Sequence, residues 1–230
     1  MSDALANAAR LLAEPARAAM LLRLMGGRAV PAGDLALIAH VSPQTASEHL
    51  ARLTEAGFVT ARRQGRHRYY ELANEEVAYA VESLLVLSSP QASLRSRATV
   101  PALGSLEHAR ICYAHLAGWL GVAITDALQR EGCLELATGR AYTVTDHGRA
   151  WFEQRGIFLP TSSAGPARKL ACQCPDWTER RPHLAGVLGV AMYKRFLELG
   201  WVAPTQRSRA LRITLEGRQA FAKHLRIVVG

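Results

Sequence analysis

Cys112, His115, Cys172, Cys174 and His183 are the residues of this 230-residue chain with the clearest capacity for chemistry. Thiolate and imidazole ligands suit Zn²⁺ or a softer ion, and paired thiols also respond to oxidants. Cys112 and His115 are three apart, a spacing that puts both on one face of a helix. Cys172 and Cys174 flank Gln173 shortly before Asp176 and His183. The two histidines are equivalent in the sequence, because His115-Leu-Ala-Gly-Trp-Leu-Gly-Val-Ala123 returns 68 positions later as His183-Leu-Ala-Gly-Val-Leu-Gly-Val-Ala191. Packing of the two copies about a twofold axis would bring together Cys112, His115, His183 and either Cys172 or Cys174. A blander reading stands beside this one. Cysteine is among the most buried residue types even when inert, and an equivalent histidine can simply cap a helix or hydrogen-bond.

The repeat extends further and defines the elements that must hold these side chains. Arg140-Ala-Tyr-Thr-Val-Thr-Asp-His-Gly-Arg-Ala-Trp-Phe152 returns as Arg209-Ala-Leu-Arg-Ile-Thr-Leu-Glu-Gly-Arg-Gln-Ala-Phe221, now 69 positions on. Each copy reads as a helix, a glycine stop, a β-hairpin, and a short helix opened by Thr145 or Thr214. Ala117, Gly118 and Gly121, with Ala185, Gly186 and Gly189, permit close backbone approach at the start of each repeat helix. Tight packing and room for a ligand are both served by such residues. No Gly-rich phosphate loop, nucleophile elbow or His-Glu-x-x-His sequence occurs, so an enzyme is not expected.

Composition narrows the partners. The chain carries 28 Lys/Arg against 19 Asp/Glu, a net charge of +9. Residues 1–89 hold 9 of each sign, which leaves 19 basic and 10 acidic residues for the remainder. Four cysteines without a secretory leader fit a reducing compartment, and no apolar run reaches membrane length, so a cytoplasmic protein is expected.

In the balanced N-terminal part the positive charge is concentrated in one place. Ser42 is a helix cap and Pro43 fits the first helical position. Ala46, Leu50 and Leu53 then form an apolar stripe, while Gln44, Thr45, Ser47, His49 and Arg52 lie off it. Gly57 stops the helix. Arg62, Arg63, Arg66 and Arg68 follow around a Gln64-Gly65 turn, with Tyr69-Tyr70 returning as a strand. A polar-faced helix followed by a basic hairpin is the arrangement that enters a major groove and grips flanking phosphates. Ser42, Gln44, Thr45, Ser47, His49 and Arg52 are the expected helix contacts to double-stranded DNA, and the four arginines are the expected wing contacts.

Leu12-Ala-Glu-Pro-Ala-Arg17, Ser42-Pro-Gln-Thr-Ala-Ser-Glu-His-Leu50 and the Leu53-to-Tyr70 wing together resemble the ArsR/SmtB family of winged helix-turn-helix regulators. The resemblance covers roughly the first 85 residues, about one small module. It implies a homodimeric repressor that leaves its operator on binding a metal ion or another inducer. The apolar helix over Asn74–Leu87 then pairs with its symmetry mate, or else packs on the second half of its own chain. Two departures bear on the effector: Leu35-Ala-Leu-Ile-Ala39 has no thiol, and Glu75 to Leu87 contains no histidine. Any metal must then be sensed elsewhere, and the departures favour an organic effector or a thiol switch over the family's zinc and arsenic chemistry.

The expected architecture is mostly α with small β-hairpin wings. Residues 1–89 form the winged helix-turn-helix and dimerisation domain, and 90–104 a linker. Residues 105–230 form a duplicated domain with repeats at about 105–160 and 172–230, which serves as the sensor.

Overall fold

The computed structural model describes residues 2–88, 100–160, 169–205 and 208–229. It divides into two compact units, 1–81 and 82–230. The boundary falls inside a continuous helix, between Val81 and Glu82, and Glu82 pairs with Arg110 and Arg209 of the second half. Most of the expected 90–104 linker lies outside the described residues.

In the first unit, α1 (Ser2–Leu12) and α2 (Pro15–Leu24) are separated at Glu14-Pro15, with Pro15 opening α2. A short strand β1 (Val30–Pro31) leads into α3 (Ala32–Ile38) and α4 (Pro43–Glu55). Strands β2 (Val59–Gln64) and β3 (His67–Leu72) form the wing, and α5 (Glu75–Ser88) follows. The sheet order is β1-β3-β2, all antiparallel. Met20, Leu21, Leu24, Leu35, Leu50, Leu53 and Val59 are buried, so the apolar stripe read from α4 is its inward face.

The second unit contains two copies of one pattern. Strands β4 (Arg110–Cys112) and β5 (His115–Ala117) form a hairpin before α6 (Gly118–Arg130). A second hairpin, β6 (Leu134–Leu136) with β7 (Tyr142–Val144), and α7 (Asp146–Glu153) complete the copy. The pattern repeats as β8 (Cys172–Cys174), β9 (His183–Ala185), α8 (Gly186–Glu198), β10 (Val202–Pro204), β11 (Leu211–Ile213) and α9 (Leu215–Leu225). Thr145 and Thr214 cap α7 and α9 through Gly148 N and Gly217 N. All three wings are reached the same way. Gly57, Gly132 and Gly200 have φ of 74°, 68° and 67°, and the next amide in each case bonds back to the helix, Phe58 to Leu53, Cys133 to Leu128 and Trp201 to Phe196. A glycine ends each helix because the left-handed turn carries no Cβ penalty there.

One expectation is corrected. Cys112 and His115 are not on a helix; they face each other across the β4–β5 hairpin, as Cys174 and His183 do across β8–β9. The two copies also cross over. Arg110 of β4 bridges to Ala210 beside the second copy's wing, and Cys172 of β8 bridges to Ala141 beside the first copy's wing. A single core runs through both copies, including Leu120, Leu128, Phe152, Leu188, Phe196 and Phe221.

Candidate functional site

In the first unit, α4 has the local structure its sequence dictates. Ser42 Oγ accepts from Thr45 N at 3.1 Å, and Pro43 occupies the position where its missing N–H costs nothing. Gln44, Ser47 and Arg52 are exposed and Thr45 is half-buried. Ser47 Oγ donates back to Pro43 O at 2.9 Å, as helical serines do. His49 is turned differently from its neighbours: it is half-buried, with Nδ1 3.3 Å from Arg17 Nη1. Arg17 is itself buried and donates to the carbonyls of Arg10 and Leu11 at the end of α1. With Arg17 as donor, His49 Nδ1 is the acceptor and Nε2 carries the proton.

On the wing, Arg62, Arg63, Arg66 and Arg68 are all exposed. Arg63 pairs with Arg68 and Arg62 with Tyr69 across β2 and β3. Arg62 lies over the Tyr69 ring and Arg68 over Tyr70, at 5.9 and 5.5 Å. Arg63, Arg66, His67, Arg68 and Ala61 line a shallow cleft at the tip. Like charges placed side by side with no intervening carboxylate are suited to an anionic backbone.

In the second unit, Cys112, His115, Cys174 and His183 converge, all buried, with their ligand atoms within 4.8 Å of one another. The thiols are 3.9 Å apart and the two imidazole Nε2 atoms 3.1 Å apart. A tetrahedral ion with metal–sulfur bonds of about 2.3 Å and metal–nitrogen bonds of about 2.0 Å has S···S and N···N edges of about 3.8 and 3.3 Å. The like-atom edges are close to those values, while the sulfur–nitrogen edges, which in such an ion are about 3.5 Å, extend to as much as 4.8 Å. Cys172 is not one of the four; it stands at the far end of β8, opposite Ala185.

Glycines make the convergence sterically possible. A Cβ on Gly121 would sit 2.6 Å from Leu116 O and 3.5 Å from the Cβ of His183. One on Gly189 would sit 2.7 Å from Leu184 O and 3.2 Å from the Cβ of His115. Each repeat helix therefore presses against the other repeat's histidine strand. Of the two uses the sequence left open for these glycines, the contacts show close packing.

The electrostatics hold one thiol and one imidazole of the quartet protonated, so an ion bound there would displace protons. The hydrogen bond from Cys112 holds the Cys174 thiol well below its ordinary range; burial opposes this and His183 reinforces it. The same hydrogen bond, with burial, pushes Cys112 well up. Burial disfavours a His183 cation, but Cys174 and Asp176 raise its pKa to about 10. His183 Nδ1 lies 3.1 Å from Asp176 Oδ2, an ion pair rather than a well-aligned hydrogen bond. Burial works against ionisation of Asp176, yet His183 and Arg110 keep it well below the usual carboxylate range.

Sequence reasoning passed over Arg110, Glu82 and Arg209, three buried charges in the same unit. Their signal was weak. Arg110 and Cys172 are equivalent between the copies, so repetition hides the arginine.

The comparisons with known proteins agree with the DNA-facing half. Residues 12–62 match the helix-turn-helix domain family model. The chain is 40% identical to the HTH-type transcriptional regulator YdfF of Bacillus subtilis over 229 residues, covering 100% of both. It is 34% identical over 100 residues to the HTH-type transcriptional regulator CmtR of Mycobacterium bovis, covering 42% of this chain and 84% of that one. Among solved structures, reduced HlyU from Vibrio cholerae is 26% identical, covering 39% of this chain and 93% of the other, with a TM-score of 0.35.

Proposed function

Because the chain belongs to the ArsR-type helix-turn-helix transcriptional regulators, we propose that it is a homodimeric cytoplasmic repressor released from its operator by a metal ion held at Cys112, His115, Cys174 and His183. The observation that carries the reading is the quartet itself: two thiols and two imidazoles, all buried and within 4.8 Å of one another, with sulfur–sulfur and nitrogen–nitrogen separations close to those around a tetrahedral ion. Cys112 and His115 of one hairpin and Cys174 and His183 of the other would hold Zn²⁺ or a softer ion between them, and so link the two hairpins. An organic effector, favoured by sequence alone, ranks below it because these four side chains already make a complete donor set. A second reading rests on the 3.9 Å between the Cys112 and Cys174 sulfurs, since adjacent thiols also answer to oxidants.

The test is operator binding with a Zn²⁺, Cd²⁺ and Cu⁺ panel and, separately, diamide. Metal is expected to weaken operator binding at least tenfold, and diamide to leave it unchanged under anaerobic, metal-free conditions. Release by diamide alone would favour the thiol reading, and release by neither would refute both.

On the DNA side, Gln44, Thr45 and Ser47 are assigned to base edges and Arg62, Arg63, Arg66 and Arg68 to phosphates or the minor groove. Ser42 positions the helix, Arg52 lies further along the same exposed surface, and His49 offers its Nε2–H. Gln44→Ala and Thr45→Ala are expected to cost roughly 1–3 kcal/mol on the operator and little on random DNA, whereas Arg66→Ala weakens both alike and flattens the salt slope. Equal losses on both DNAs for the helix variants would refute this division.

The assembly prediction is a homodimer on a pseudo-palindromic operator, with half-sites about one helical turn apart. Leu84 and Leu87 support it, since α5 leaves them 45% and 81% exposed. Sedimentation is expected to give a dimer at micromolar concentration, and Leu84→Glu with Leu87→Glu to give a monomer. A wild-type monomer on and off DNA would overturn the assignment.

A further inference from the structure

Resting on the metal reading above, we infer that occupancy of the quartet is read out on helix α5 through a chain of buried charges, His183–Asp176–Arg110–Glu82. The side chains of all four are inaccessible to solvent. His183 Nδ1 is 3.1 Å from Asp176 Oδ2, Asp176 Oδ1 is 3.0 Å from Arg110 Nη2, and that nitrogen is 3.4 Å from Glu82 Oε2. Each link is fixed from a second side. Asp176 Oδ2 also accepts from Gly118 N at 2.7 Å, and Oδ1 from Thr178 N at 3.0 Å and from its hydroxyl at 2.6 Å. Arg110 Nη1 donates to Leu106 O and to Thr178 Oγ1 at 3.2 and 3.1 Å, and the guanidinium lies 5.3 Å from the Trp177 ring centre. The other oxygen of Glu82 meets Arg209 Nη1 at 3.5 Å.

The chain exists on one side of the quartet alone. Residues 113–114 join β4 to β5, whereas residues 175–182 join β8 to β9, and the six extra residues supply Asp176. Neither Nδ1 makes a well-aligned hydrogen bond among the described residues, but His183 Nδ1 faces Asp176 Oδ2 at 3.1 Å, and His115 Nδ1 faces no such carboxylate among them. A site that needed only to hold an ion would gain from orienting both imidazoles. Here one imidazole is paired with a carboxylate, and that carboxylate continues to α5.

The far end of the chain gives the asymmetry its use. α5 is one unbroken helix, with residues through Val81 in the first unit and Glu82 in the second. Glu82 is therefore a charged grip by which the second unit holds the helix that continues into the first. When His183 turns Nε2 to an ion, its Nδ1 edge carries Asp176 with it. A doubly anchored buried pair passes such a shift on, because stretching it leaves a charge unpaired and dry. Asp176 positions the ligand, Arg110 connects, and Glu82 reports.

The experiment uses the full chain with the metal alone as probe. Zn²⁺ affinity is measured by chelator competition, and operator affinity with and without Zn²⁺, for wild type, Glu82→Gln, Arg110→Lys and Asp176→Asn. Glu82→Gln and Arg110→Lys are expected to bind one Zn²⁺ per chain within about threefold of wild type, because every ligand is retained. Their metal-free operator binding should persist, while the Zn²⁺-dependent loss of operator affinity falls from tenfold or more to less than twofold. Asp176→Asn is expected to bind Zn²⁺ about 10–100-fold more weakly and to be uncoupled at saturation. Coupling is reciprocal, so operator DNA should weaken Zn²⁺ binding by the same factor in wild type and leave it unchanged in Glu82→Gln. If Glu82→Gln loses metal-free operator binding, Arg110→Lys decides by the same measure. Zn²⁺-loaded variants that release the operator as wild type does would overturn the chain and leave metal sensing standing. A wild type that binds no Zn²⁺ would overturn both.

Discussion

Cys174→Ser and Cys112→Ser are each expected to abolish stoichiometric Zn²⁺ binding at micromolar concentration, while Cys172→Ser retains it. Loss of an outer partner to a metal ligand weakens binding about 10–100-fold, so loss of a direct ligand must exceed about 100-fold. Serine is nearly the size of cysteine, so neither exchange opens a large cavity in the core. The discriminating feature is position along one strand. Cys172 and Cys174 are two residues apart on β8, yet only Cys174 stands opposite His183. Thermal unfolding gives a second readout: a ligand at 100 times its Kd stabilises by about 2.7 kcal/mol, so Zn²⁺ should raise the Tm of wild type and of Cys172→Ser alone. Equal behaviour of all three variants would remove the quartet as the binding site.

The other large effect is expected at Arg110. Its guanidinium is fully buried between Glu82 and Asp176, and Arg110→Met leaves both carboxylates in the interior with less positive charge. Removing one partner of a buried ion pair costs about 3–5 kcal/mol, a large part of the roughly 5–15 kcal/mol that stabilises a typical domain. For a unit of this size each kcal/mol lowers Tm by about 2–4 °C, so a fall of about 10 °C is expected in the melting of the second unit by near-ultraviolet circular dichroism. Arg62→Met, on the exposed wing, is the control and should leave Tm within about 1 °C, because surface changes rarely exceed about 0.5 kcal/mol. A fall no larger than the control's would mean that these charges are better solvated than their burial implies.

The DNA-facing helix was legible because its signals are local. Ser42-Pro43 opens α4, Ala46, Leu50 and Leu53 fall on one face, and Gly57 closes it, each within a few residues of its partner. The wings of the second unit were legible for the same reason, through repeated glycine and threonine. Strands β4 and β5 were not. They are three residues long and buried throughout, so no alternation marks them, and Cys112 and His115 happen to stand at helical spacing. The turn between them carries Tyr113 at φ 59°, with no glycine or asparagine to announce it. The partnership of Cys112 with Cys174 was masked by the longer second turn, which makes their separation 62 where the histidines are 68 apart. Glu82 lies on a helix that reads as apolar, and nothing in the sequence singles it out. Its partners Arg110 and Arg209 are 28 and 127 residues away, and no local pattern points to them.

The crossing of the two repeats has a consequence for their history. One repeat supplies one cysteine and one histidine, and its hairpin lies against the wing of the other copy, so a lone repeat has neither a closed site nor a covered edge. A chain with a single copy would have to meet a second molecule to close this site, and its response would fall with dilution. Two copies in one polypeptide replace that encounter with a local concentration of about millimolar order, as short tethers give. They are also released from identity. A symmetric assembly must change both sides of its axis at once, whereas the fused chain could lengthen one turn and leave the other at two residues.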